Sequence, residues 1–237
     1  MHVLAVNSAT SVASVAVVNE EKVVSEFFLN TSKTHSERLM PLIHELLKYS
    51  DLELSNIDAF AVAIGPGSFT GLRRGLATVK GLAFFTQKPV VGISTLDGLA
   101  ANLPYAGGLI CPVIYSKSNE IYTAIYINSA CGLERISPYL AVSPKKLVLL
   151  LEQFDRRKIT FLGDAIDMFS EDLLKKLGSG LRFAPKEHRM PKASAIGCLG
   201  IEKLKKGQID KLEKLVPFYI RASAAEEKRK KGSVQAK

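Results

Sequence analysis

Between Ile64 and Ala83 five glycines and one proline leave the backbone few choices. The apolar segment Ala59 to Ile64 is short and ends at Gly65-Pro66-Gly67, as a buried strand would. Leu72, Leu76, Val79 and Ala83 then recur at helical spacing, so the order is strand, tight loop, helix. Ser68 or Thr70 is placed to cap that helix. Gly65 and Gly67 reach backbone angles closed to other residues, and Pro66 stiffens the bend between them. Gly71 and Gly75 strip one helix face of side chain, so another backbone can approach closely there.

Three chemistries use loops of this kind, and spacing weakens two of them. A phosphate loop needs a lysine after its last glycine, and Leu72 stands there. A dinucleotide fingerprint needs a third glycine where Thr70 sits, and an acidic residue about 20 positions on, which is missing. Backbone N–H groups at the helix start remain able to hold an anion, with Arg73 and Arg74 nearby. The other reading is that the glycines serve close packing alone.

At 237 residues the chain can bury a sizeable core in one large domain or two small ones. No charged segment followed by an apolar core opens it, so no secretory signal is expected. No apolar run approaches the ~18 residues of a spanning helix, so no membrane partner is expected. The three cysteines are far apart, with no CxxC pair, which fits reduced thiols in a cytoplasmic protein. The formal charge of +9 is uneven: Arg221 to Lys237 holds six basic residues against Glu226 and Glu227. That is a basic tail, suited either to plain solvation or to an encounter with nucleic acid.

His2 to Asn7 and Ser11 to Val18 read as a hairpin around Asn7-Ser8-Ala9-Thr10, and Val23 to Leu29 as a third antiparallel strand. Thr34 to Lys48 reads as a helix with Leu39, Leu42, Ile43, Leu46 and Leu47 on its apolar face, its first turn disturbed by Pro41. After the glycine loop and its helix comes a strand at Val90 to Ile93. This is the plan of a ribonuclease H-like half. A second half follows: strands at Leu109 to Tyr115, Glu120 to Ile127 and Leu133 to Val142, a helix at Lys145 to Glu152, and a strand at Lys158 to Leu162. Helices near Asp164 to Leu177 and Ser194 to Lys206 complete it. The expected fold is therefore α/β, two actin-like lobes with mixed sheets flanked by helices, the second degenerate. The lobes are expected at 1–100 and 101–225, with a basic tail at 226–237.

Gly65-Pro66-Gly67-Ser68-Phe69-Thr70-Gly71-Leu72-Arg73 resembles the signature of the TsaB (YeaZ) family, as do Val3-Leu4-Ala5-Val6, Thr34-His35-Ser36-Glu37-Arg38-Leu39 and Pro217-Phe218-Tyr219-Ile220-Arg221. The resemblance implies an accessory subunit, not itself an enzyme, in a complex that puts threonylcarbamoyl on the adenosine beside the anticodon of tRNA. It implies a larger catalytic paralogue, TsaD, and a small ATPase, TsaE, as partners, with tRNA met only within the complex. A homodimer is expected to use the same surface when TsaD is absent. The alternatives are an active actin-like ATPase or kinase, and a plain tRNA-binding module resting on the tail.

No catalytic, cofactor or metal residue is assigned. Actin-like enzymes hold magnesium with an aspartate in the first hairpin, where this chain has Asn7; a turn residue is the simpler reading. The catalytic paralogue holds its metal with a helical HxxxH pair, and here His35 is followed by Leu39, with His44 on another helix face. Ser116-Lys117-Ser118 departs from the Asp-Ala-Arg common in the family and reads as a polar hairpin turn. Ser68 does not fit GxSxG and lacks a histidine partner. The expected interface is the apolar and glycine faces of the two N-terminal helices: His35, Ser36, Leu39, Leu42, Ile43 and Leu46 on the first, and Phe69, Thr70, Gly71, Arg73, Gly75, Thr78 and Leu82 on the second.

Overall fold

A computed structural model of the chain describes residues 1–30, 39–117, 119–154, 158–169 and 171–220. The segment holding His35 and Ser36, and the basic tail, lie outside the described residues.

The first five strands form one sheet: β1 (Val3–Asn7), β2 (Val12–Val18), β3 (Val23–Asn30), β4 (Ala59–Gly65) and β5 (Val90–Ser94), in the order β3-β2-β1-β4-β5. The hairpin expected at the N-terminus is present, β1 pairing antiparallel with β2 from Val3↔Val18 to Asn7↔Ser14. Strands β4 and β5 run parallel to β1. Every residue of β1 is buried, because both faces of the sheet are covered. Leu4, Val6, Val15, Val17, Phe60 and Val62 share one core with α1 (Leu39–Tyr49) and α2 (Phe69–Thr86). Pro41 sits in the first turn of α1, where its missing N–H leaves no helical bond unmade.

The opposite face is made of small residues: Val3, Ala5, Ala16, Val18, Ala59, Ala61 and Ala63. Against it lies α6 (Ala193–Lys205), a helix expected to complete the second half. Its own glycines explain the placement. A Cβ at Gly197 would stand 2.5 Å from Val18 Cγ2 and 3.1 Å from Ala5 Cβ, and one at Gly200 would stand 2.8 Å from Ala61 Cβ. Alanines on the sheet and glycines on the helix bring the two backbones together.

The second sheet repeats the strand order of the first. Its members β6 (Leu109–Tyr115), β7 (Ile121–Thr123), β10 (Leu140–Val142), β11 (Ile159–Leu162) and β12 (Leu181–Phe183) run β10-β7-β6-β11-β12, antiparallel then parallel as before. The strand expected from Glu120 to Ile127 breaks at Ala124-Ile125 and continues as β8 (Tyr126–Ser129), and the one expected from Leu133 to Val142 splits into β9 (Gly132–Arg135) and β10 around Pro138. Ser137 causes the break in part, its Oγ accepting from the Ile125 N–H at 2.8 Å. α4 (Pro144–Leu151) is capped by Ser143, whose Oγ accepts from the Lys146 N–H. The helix expected from Asp164 to Leu177 is a 3₁₀ turn at Ile166–Met168 followed by the short α5 (Glu171–Lys176). One strand and one α-helix were not expected: β12, and α3 (Thr95–Ala100), which follows β5 directly. Leu96, Leu99 and Ala100 of α3 share a core with Ile110, Ile114, Tyr126 and Leu162 of the second sheet. The helix after β5 thus covers the second sheet and the helix after β12 covers the first.

Candidate functional site

Helix α2 divides cleanly into two rows of residues four apart. Gly71, Gly75, Val79 and Ala83 are buried, while Arg73, Ala77, Gly81 and Phe85 are exposed. The glycine face that sequence offered to a foreign helix is turned inward. A Cβ on Gly71 would collide with the Ser8 carbonyl oxygen, one on Gly75 with Ser8 Oγ, and one on Gly67 with the Ala9 carbonyl oxygen. Gly71 and Gly75, expected at a partner surface, seat the β1–β2 turn of their own chain.

Hydrogen bonds close the same contact. The Ser68 N–H donates to Ala9 O at 2.6 Å, and Ser8 Oγ donates to Gly71 O at 2.8 Å. Ser68 is the helix cap, its Oγ accepting from the Gly71 N–H at 3.3 Å. The Ser68 and Gly71 N–H groups at this helix start are thus given to the chain's own oxygens, which favours the packing reading of the loop.

Asn7 is fully buried and its side-chain amide is committed at both ends. Its Nδ2 donates to Pro191 O at 2.9 Å, and its Oδ1 accepts from the Ala9 N–H at 3.1 Å. A carboxylate could not make the first of these bonds. The side chain therefore ties the first hairpin to the segment entering α6. Leu39, at the position where a second metal histidine would stand, is buried in the core with Ile43 and Leu46. These three positions, expected at a partner surface, fill the space under α1 in the chain's own core.

The remaining expected residues among those described are at or near the surface. Phe69, Thr70 and Arg73 are exposed, and Leu42, Thr78 and Leu82 are half-buried. Leu42 borders an open apolar groove of about 330 Å³ with Phe27, Leu29, Pro41, Glu45 and Tyr49. Sequence reading missed the two most outward aromatic side chains of α2, Phe84 at 69% and Phe85 at 80% exposure. The signal was available: the buried rhythm Leu72, Leu76, Val79, Ala83 puts positions 84 and 85 off the core face. At the far end of α1, Tyr49 is 74% exposed.

The motif Pro217 to Ile220 also reaches this site from the far end of the chain. The Phe218 N–H donates to Ile64 O at 2.7 Å, and a Cβ on Gly65 would stand 2.6 Å from Phe218 O. Gly65 has φ +119°, so both its angle and its neighbour require glycine. Tyr219 stacks on Phe69 at 5.4 Å between ring centres, and the Arg73 guanidinium lies 3.8 Å over the Phe69 ring. On the second lobe Phe218 meets Tyr139 at 5.3 Å. The Tyr139 and Tyr126 hydroxyls both donate to the Asp97 carboxylate of α3, at 2.7 to 2.9 Å. Burial pushes the Tyr139 phenol up to about 12, and burial with the nearby Asp97 charge raises Tyr126 as well. Both stay protonated donors at neutral pH.

This topology, two ribonuclease H-like sheets each covered in part by a helix from the other half, defines an actin-like two-lobed protein. A family model described as TsaD, tRNA N6-adenosine threonylcarbamoyltransferase, matches residues 22–229. The Bacillus subtilis (strain 168) tRNA threonylcarbamoyladenosine biosynthesis protein TsaB is 31% identical over 228 residues, 96% of this chain and 97% of that protein. Its Escherichia coli (strain K12) counterpart of the same name is 29% identical over 228 residues, 95% and 96% of the two chains. The solved structure of YeaZ from Pseudomonas aeruginosa superposes with a TM-score of 0.78 at 23% identity, over 92% of this chain and 99% of that one, and so shares the fold. The chain belongs to the TsaB (YeaZ) family.

Proposed function

We propose that this chain acts in the synthesis of threonylcarbamoyladenosine in tRNA as a cytoplasmic, non-catalytic partner of a TsaD-like subunit, docking through the outward faces of α1 and α2. A TsaE-like ATPase joins the assembly, and tRNA is contacted only within it. The relatives named for this pathway support the pathway. The observation that carries the docking reading is the outward row Arg73, Ala77, Gly81 and Phe85, with Phe84 beside it. Nothing lies within 4 Å of a Cβ built on Gly81, so a foreign helix has room to approach there. Two consecutive phenylalanines exposed to water are costly unless something covers them. In the absence of TsaD the same row serves a homodimer.

Copurification and analytical ultracentrifugation with a TsaD-like protein test this. Burying one Phe side chain contributes about 1.5–3 kcal/mol, so Phe85→Ser should weaken association roughly ten- to hundredfold. Gly81→Arg should block it, with the melting temperature of the isolated chain not lowered in either variant. Undiminished association would place the interface elsewhere. The ATPase or kinase reading predicts ATP turnover above background by the purified chain. Against it stands Asn7, whose amide is already spent on Pro191 and Ala9.

A further inference from the structure

We propose that residues 217–220 form a releasable latch that closes the two lobes on each other and fixes the N-terminal end of α2. The path of the chain after α6 carries the inference. The Asp210 N–H donates to Val90 O at 3.0 Å, and Asp210 Oδ2 accepts from the Gly92 N–H at 2.8 Å, so the returning segment is first pinned along β5. Leu215 then enters the core under α2, where Lys80 Nζ donates to its carbonyl at 3.3 Å. The contacts named up to this point are all with the first lobe.

The next residues straddle. Phe218 bonds Ile64 of β4 through its backbone while its ring lies on Tyr139 of the second lobe. Ile220 packs against the core shared by α3 and the second sheet. Tyr219 points back to Phe69 and Arg73, its hydroxyl accepting from Arg73 Nε at 3.4 Å. Three consecutive residues, Phe218 to Ile220, thus touch the loop before α2, the first turn of α2 and the second lobe around Tyr139 together.

The contact has the character of a latch because its side chains are shallow. Phe218, Tyr219 and Ile220 are half-buried and Val216 is exposed, whereas the β1 core is fully closed to solvent. Segments with few buried contacts open before the core does. Release would free Phe69 and Arg73, so a partner that engages those residues in the latched arrangement favours closure, and closure favours the partner. This coupling rests on the docking reading; the latch itself does not.

The test uses the full chain and Phe218→Ala, followed by hydrogen exchange. Amides of the α2 first turn and of α3 should exchange at least tenfold faster, with β1, β2 and α6 unchanged. Spin labels at exposed Thr70 and Lys117, in a background with Cys131 and Cys198 replaced by serine, should give one narrow distance distribution in the parent and a broad one in the variant. Ile220→Ala should give the same pattern more weakly, and serves if Phe218→Ala fails to fold. Exchange that rises evenly through both lobes, no local rise at all, or an unbroadened distance would each overturn the latch. None of these readouts involves a TsaD-like protein, so failure of the latch and failure of the docking reading are separable.

Discussion

Gly75→Ala should destabilise the chain, and the cost can be built from its contacts. The new Cβ would overlap Ser8 Oγ and come 3.8 Å from Val6 Cγ1. Ser8 Oγ cannot simply rotate away, because it donates to Gly71 O at 2.8 Å in a buried setting. Losing that bond costs about 1–3 kcal/mol, and overpacking a tight site about 1–3 kcal/mol more. Alanine returns about 1 kcal/mol of helix propensity. The net is about 3 kcal/mol, which for a chain of this size lowers the melting temperature by about 6–12 °C. Gly81→Ala is the control on the same helix: with no atom within 4 Å it should gain up to about 1 kcal/mol. Removing the obstacle identifies the cause. In Ser8→Ala with Gly75→Ala the second substitution should cost less than it does alone, a coupling of about 0.5–3 kcal/mol by double-mutant cycle. A Gly75→Ala melt at or above the parent, or strict additivity in the cycle, would refute the assignment of Gly75 to its own hairpin.

Asn7→Asp should cost about 3 kcal/mol or more at neutral pH, since a carboxylate would face Pro191 O without a proton to donate. Its folded pKa is raised, so stability should recover as pH falls and the acid form regains a donor, which chemical denaturation across pH would show. Asp164 is a milder native case: burial raises its pKa although the Tyr115 N–H donates to it at 2.8 Å. Its charged form costs stability above the folded pKa, so Asp164→Asn should raise the melting temperature at pH 7, and the gain should fade as pH drops through that pKa. A fragment of residues 1–100 should fail to melt cooperatively, because the alanine face of its sheet loses α6; joining residues 190–220 to it by a flexible linker should restore the transition. Removing residues 226–237 should leave the melt and partner binding intact but flatten the salt dependence of tRNA association by the assembled complex.

The first half was legible because its signals are local. Buried strands, helical spacing and a glycine loop each announce themselves within about 20 residues. Ser68 was identifiable as a cap candidate from its place before the helix, and it is the cap. The second half was less so: β7, β10 and β12 have only three residues each, too short to show alternation. What sequence could not show was which surface each element met. Gly71 and Gly75 advertise a close approach without naming the approaching backbone, and α6 carries Gly197 and Gly200 for a sheet whose strands all lie far upstream. Pro217 to Ile220 was legible as a motif, yet its contacts with Ile64, Phe69 and Tyr139 are all distant in sequence.

One helix can serve both closure and recognition only if the two demands fall on different rows. Closure of α2 takes Gly71, Gly75, Val79 and Ala83, with Leu72 and Leu76, because the β1–β2 turn and the sheet lie on that side. Those positions are set by the chain's own backbone and tolerate little change. On the outward row Arg73 is held by Phe69 and Tyr219, whereas among the described residues nothing lies within 4 Å of a Cβ on Gly81, and Phe85 is exposed. A small-residue opening flanked by an arginine at one end and an aromatic at the other suits a helix that packs closely and is held at both ends. Under the docking proposal, the residues chosen at Ala77, Gly81 and Phe85 answer to recognition rather than to folding.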